Sequence, residues 1–471
     1  MKKPRPSGAF LSEKRAHKAQ LRWRLARSSR HRGTSRHGPA QWTGWPHDSY
    51  LQQLTKCAQT KPVLLKTNVT IPATFSIIDS PEHVLQTIGL VAAAAGRDDV
   101  SEIHYDHGAV HHYDLAAEAI LDRVAMDVQD RRKGTRSPLR FTGTLPKDAD
   151  ADRFVRAIGI THYLEITNVK LQPSDEAKLR RFSQSRRTPN QTAKSKINSE
   201  KATVLRQFAD QIDACLATVG RRMTPPGRSA LLSYTGEIID NIEQHAQSAD
   251  WYISSYLDPD GSPPICEVAI FNFGLTFSDT FQALPPDSFP RTVVAPYLSA
   301  HESRGWFSHA WRTEDLLTLV ALQSGVSSKS QGAADTRGQG TVDLITFFQD
   351  ICTACASAAG KGEARMAMLS GDTHILFDGT YRMGPDSTGR DVLAFNQSNS
   401  LAEPPDSNYV RHLQGVRFPR YCGIDSVSAA ADSRCKLKPY RVGLWRNPLI
   451  FQNLAGQCTS AGPVGAKRGN D

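Results

Sequence analysis

Residues 231–247 read LLSYTGEIIDNIEQHAQ. Leu231, Thr235, Ile238, Ile239, Ile242 and Ala246 recur at helical spacing and predict one helix with a core-facing stripe. Glu237, Asn241 and His245 stand four apart and form a second, polar stripe on that helix. A carboxylate one turn from a carboxamide suits a magnesium nucleotide. The Asn241 oxygen can hold Mg2+, a hard cation that takes oxygen ligands. Glu237 can orient or deprotonate an attacking water. An amphipathic helix with a solvated polar face explains the same spacing, so the flanking sequence has to decide.

Four stretches downstream bear on that choice. CEVAIFNFG at 266–274 predicts a strand ending in a glycine turn, with Asn272 and Gly274 at its end. LQSGVSSK at 322–329 is polar and ends on Lys329. Arg337-Gly338-Gln339-Gly340 stands directly before TVDLITFFQDI, an expected helix. Gly338 and Gly340 would let backbone N–H groups approach phosphates at that helix's N-terminus. MAMLSGDTHILFDG at 366–379 reads as strand, turn and strand. Between Phe277 and Thr336, Pro285, Pro286, Pro290, Pro296, Gly305, Gly325 and Gly332 discourage one long element and predict a lid.

In this order the pieces resemble the GHKL (histidine kinase/gyrase/chaperone-type) ATPase family. Its pattern is a helix bearing Glu-x-x-x-Asn, a strand ending Asp-x-Gly-x-Gly, a lid, a Gly-x-Gly at a helix start, and a strand with a Thr near the adenine. The resemblance implies an α/β two-layer sandwich over residues 204–420 that binds ATP and Mg2+. Glu237 would be the catalytic residue and Asn241 the metal ligand. Asn241, His245, Asn272, Gly274, Lys329, Arg337, Gly338, Gly340 and Thr373 would contact the nucleotide, with Ser370 as an alternative to Thr373. Two positions depart from the pattern. Asn272 replaces the adenine-reading Asp, and Thr276 replaces the second glycine. A neutral amide makes a weaker bond to the adenine amino group than a carboxylate does.

Residues 63–168 alternate short strand and helix patterns and predict an open α/β domain. SIID at 76–79, EIHY at 102–105, LRFTG and YLEIT are the strand candidates, and 81–95, 115–128 and 149–157 the helices. With Asp106 and Asp114 eight apart in DHGAVHHYD, the region resembles STAS-like anti-sigma-factor antagonists. The position of their phosphorylatable serine is Ala116 here. His104, His107, His111 and His112 are expected on the surface rather than around a metal. Residues 171–203 are polar and basic and read as a linker, and 421–471 as an irregular tail.

The chain has 471 residues and a net charge of +10. Residues 1–46 carry twelve Lys and Arg against Glu13 alone. Residues 1–50 therefore read as a basic disordered tail, through which nucleic acid is a candidate partner. Eight cysteines without a secretory signal predict a reducing, cytoplasmic setting. Cys352 and Cys355 lack a second pair and are expected to pack in a core helix. No apolar run reaches the ~18 residues of a membrane span. No histidine lies between Leu171 and Tyr234 to serve as a phosphoacceptor. The expected function is an ATP-binding regulator, an ATPase or serine/threonine-kinase-like switch acting on a protein partner. A non-hydrolysing nucleotide-dependent interaction protein and a nucleic-acid-associated protein are the alternatives.

Overall fold

A computed structural model describes residues 50–58, 65–133, 138–159, 171–186, 194–217, 222–245, 250–260, 265–308, 310–324, 326, 339–357, 364–386, 390–418 and 442–446. The chain is an α/β protein, and all of these residues belong to one compact unit. The basic tail, YLEIT, Lys329, Arg337 and Gly338 lie outside them. No helix of the described residues is long and apolar enough to cross a membrane.

The first half runs α1 (Tyr50–Thr55), β1 (Leu65–Thr70), β2 (Thr74–Phe75), α2 (Pro81–Ala94), β3 (Val100–Asp106), β4 (His112–Tyr113), α3 (Leu115–Arg132), β5 (Arg140–Thr144) and α4 (Ala149–Ile158). Strands β1, β3 and β5 form a parallel three-stranded sheet in that order. Parallel strands need crossovers, and α2 and α3 supply them. Asp114 caps α3 by accepting from the Ala117 N–H at 2.8 Å, so it serves the helix start. Ala116 is buried in the first turn. SIID is not a strand. It is a turn in which Ser76 and Asp79 bond each other, while Ile77 and Ile78 enter the core.

The second half runs α5 (Pro173–Lys178), β6 (Arg180–Arg186), α6 (Lys194–Ala217), α7 (Pro225–His245), β7 (Trp251–Asp258), β8 (Ile265–Phe271), α8 (Phe277–Gln282), α9 (Phe289–Ser303), α10 (Thr313–Val320), α11 (Gln339–Ser357), β9 (Arg365–Ser370), β10 (Thr373–Phe377), β11 (Gly384–Pro385), β12 (Asp391–Val392), β13 (Val410–His412) and β14 (Val442–Arg446). A seven-stranded sheet has the order β13-β10-β9-β14-β8-β7-β6.

Three expectations are corrected here. The stretch read as a linker contains β6, whose residues from Arg180 to Arg186 pair antiparallel with those of β7 from Leu257 to Trp251. Only Phe182 of β6 packs on a core, so the polar face of an edge strand looks like linker composition. Residues read as an irregular tail include β14, which lies between β8 and β9. A five-residue strand paired only with distant segments leaves little periodicity to read. The region expected to be a lid holds α8, α9 and α10, and buries Trp311, Leu316, Leu317, Leu319 and Val320.

The large sheet is apolar on both faces. Cys266, Val268 and Ile270 alternate into a cluster with helices α6, α7, α10 and α11. Ala269 and Phe271 turn the other way, toward the core of the first half. Helix α3 fills the space between the small sheet and this second face. Its Arg123 guanidinium stands 5.2 Å from the Tyr252 ring of β7, and its Leu115 N–H donates to Glu267 of β8. Phe154 of α4 meets Tyr256 edge-on at 5.0 Å, and Arg153 pairs with buried Asp258 at 2.6 Å. The regions read as two domains thus share one core. A helix packed on both sides is buried nearly all round, and α3 is so despite Glu118, Asp122 and Arg123.

Candidate functional site

Helix α7 starts where two prolines can stand without losing a hydrogen bond, and Thr224 accepts from the Gly227 N–H at 3.2 Å. Its Ile238, Ile239 and Ile242 enter the helix-side core. Tyr234 meets Phe347 of α11 with ring centroids 5.1 Å apart. Helical spacing puts Glu237 and Asn241 on the same stripe as Tyr234, so both lie along the side of α7 that faces α11. Each is half-buried and has no hydrogen-bond or ion-pair partner among the described residues. His245 is the last residue of α7.

Strand alternation continues past β8. Phe273 follows Phe271 onto the α3 face, where it stacks on Tyr50 at 4.2 Å and on Phe418 at 5.6 Å. Asn272 therefore falls on the opposite face, shared with α7 and α11. Its side chain is buried, at 2% exposure, and Nδ2 makes no hydrogen bond. Gly274 follows, also buried. Thr276, at the place of the second glycine, caps α8. It accepts from the Asp279 N–H at 3.0 Å, and Asp279 accepts from the Thr276 N–H at 3.2 Å. A glycine there would forgo this reciprocal cap.

The turn between β9 and β10 meets this loop. Ser370 Oγ accepts from the Phe277 N–H at 3.1 Å. Gly371 has φ +65°, and a Cβ on it would stand 2.9 Å from Thr276 Cγ2. Both the backbone sign and the close approach require glycine. Thr373 is fully buried and donates to Asp315 Oδ1 at 2.7 Å, and His412 Nδ1 lies 3.2 Å from Asp315 Oδ2. Hydrogen bonding to Asp315 raises the His412 pKa. Burial pushes the Asp372 carboxyl upward. Asp315 and His412 were absent from the sequence reading. Asp315 shows itself there only as the third residue of a helix start, and His412 stands on a three-residue strand without periodicity.

The structure brings the 272–276 loop to the 370–373 turn, and α7 to α11, around one hydrophobic cluster that includes Leu275, Phe277, Leu344 and Ile345. Gly340 lies in the first turn of α11, which begins two residues earlier than TVDLITFFQDI suggests. Among the described residues no three His, Cys, Asp or Glu side chains group to hold a metal ion. A magnesium ion at Asn241 would complete its shell with nucleotide phosphates and water, the usual manner for Mg2+. The expected surface histidines are corrected in part: His107 is buried, and His112 pairs with Asp79 at 2.8 Å. Cys352 is buried in α11, and its thiol donates to the Ala364 carbonyl at 3.7 Å.

Compared with known proteins, the chain matches no protein family, no curated protein and no solved structure.

Proposed function

We propose that the chain is a nucleotide-dependent regulator with a GHKL-type Mg-ATP site, joined through a shared core to a STAS-like first half. One observation carries this reading. Helix α7 with its Glu-x-x-x-Asn, the strand pair β7–β8 ending at Asn272, the glycine start of α11 and the β9–β10 turn follow one another in that order, and all pack on one core. In this site Asn241 holds Mg2+, Glu237 activates the attacking group, and the N-terminal turn of α11 cradles phosphate. The bound nucleotide supplies the phosphoryl group, and the chain contributes position and charge. Its output is control of a protein partner, by hydrolysis or by serine/threonine phosphorylation.

Equilibrium binding of ATP in Mg2+ and in chelator tests the reading. Saturable, Mg-dependent binding is expected, and binding unaffected by chelator would overturn the metal assignment. Turnover of the same samples separates an ATPase from a non-hydrolysing switch. A second reading rests on the twelve cations of residues 1–46, which suit a nucleic-acid contact. Salt-dependent DNA or RNA binding that disappears on deleting those residues would support it.

Asn272 carries a further expectation. A carboxamide offers both a donor and an acceptor, so it can face either purine, whereas a carboxylate only accepts. Asn272→Asp is expected to strengthen ATP binding and to widen the preference for ATP over GTP. Unchanged competition by both nucleotides would show that Asn272 does not face the base.

A further inference from the structure

Four ionisable side chains away from the nucleotide site are sealed into the shared core. Tyr105 lies on β3, His107 just beyond its end, and Glu118 and Asp122 one turn apart on α3. None is more than 3% exposed. His107 Nε2 has no hydrogen bond and points toward Glu118, with Oε1 at 4.0 Å, while the Thr144 carbonyl holds the ring. The Tyr105 hydroxyl and both oxygens of Asp122 also lack hydrogen bonds. The turn closing α4 fits round the Glu118 carboxyl, because a Cβ on Gly159 would stand 2.7 Å from Oε1. Buried polar atoms in folded proteins nearly always have partners, so this concentration marks a place that holds something.

The surrounding charges narrow what it holds. Arg123, on the sheet-facing side of α3, is committed to Asp127 and to the Tyr252 ring. Asp106 acts on His107 from the end of β3, His104 does so from within that strand, and Arg132 binds the carbonyls of Ala94 and Val100 at the far end of α3. No cationic side chain among the described residues pairs with Asp122, and no metal-binding group forms there. A buried carboxylate without a cation is costly, and taking up a proton removes the charge.

We propose that Glu118, Asp122, His107 and Tyr105 form a proton-holding site that makes the packing of α3 between the two sheets depend on pH. Burial, with the Glu118 charge beside it, lifts the Asp122 carboxyl well above the usual carboxylate range. Burial pushes His107 down to about 4. Asp122 therefore holds its proton to higher pH in the folded chain than in the unfolded chain. The stability that this proton confers is complete below the ordinary carboxylate pKa. It is lost as pH rises from there through the raised value. His107 acts in the opposite sense, since its neutral form is the folded one and stability falls as pH drops below the usual histidine range. The site bears on the large sheet, because the Leu115 N–H at the head of α3 donates to Glu267 of β8.

Unfolding of the full chain and of Asp122→Asn, followed between about pH 6 and about pH 9, tests this. The wild type is expected to lose stability relative to the variant, approaching tenfold in the folding equilibrium per pH unit for one proton. His107→Gln should leave that alkaline limb in place. Equal pH slopes for wild type and Asp122→Asn would overturn the proposal. Infrared spectra of the wild type in D2O near neutral pH serve if the variant does not fold. A protonated-carboxyl band that disappears with rising pH is expected, and its absence at neutral pH would equally overturn the proposal.

Discussion

Glu237→Ala is expected to keep nucleotide binding and to lose turnover by about 10²–10⁴-fold, the usual cost of removing a general base. The side chain is half-buried on α7, one turn from Asn241, and no other described group engages it. In the proposed site its carboxylate would therefore be available to a water or a hydroxyl held against the nucleotide. Because its helix packs through Ile238, Ile239 and Ile242, truncation at Glu237 leaves the core untouched and the fold should survive. Single-turnover rates with saturating Mg-ATP measure the effect. An unchanged rate would reduce Glu237 to the solvated face of an amphipathic helix. A wild type that binds without turnover would make the protein a switch rather than an enzyme.

Asn241→Ala should weaken Mg-ATP binding by about 10–100-fold, the worth of roughly 1.5–3 kcal/mol for a bond to a charged group. The loss should depend on the metal, because in the proposed site the missing oxygen would be a ligand of Mg2+ and not of the base. Titration of the variant in Mg2+ and in chelator separates the two. Equal affinity for wild type and variant in Mg2+ would remove Asn241 from the site. The two substitutions differ in kind: one is expected to spare binding and slow the chemistry, the other to weaken binding itself.

Elements with strong local periodicity were legible before the structure. The apolar stripe of α7, the strand ending at Asn272, the helix after Gly340 and the β9–β10 turn all stand where the spacing places them, within a few residues. The elements that sequence reading missed depend on distant partners. Strand β6 is an edge strand whose exposed Ser183, Gln184 and Ser185 resemble a linker. β14 gains its place by pairing with β8 and β9 on both sides. His107 looks like a surface residue of a histidine-rich turn until α3 is packed over it. The role of Thr276 was hidden for another reason. Its departure from a glycine pattern is a local gain, the capping box of α8, which becomes visible only once Asp279 is known to start a helix. Likewise Thr373 sits at the expected strand, but its hydroxyl is directed to Asp315, a residue with no motif around it.

Hydrogen exchange of the full chain with and without Mg-ATP tests the central claim most directly, since it reports where the nucleotide sits. The account predicts added protection concentrated at 237–245, 272–276, 337–345 and 370–373, with β1 to β5 little changed. Protection elsewhere, or none at these four segments at saturating nucleotide, would contradict it.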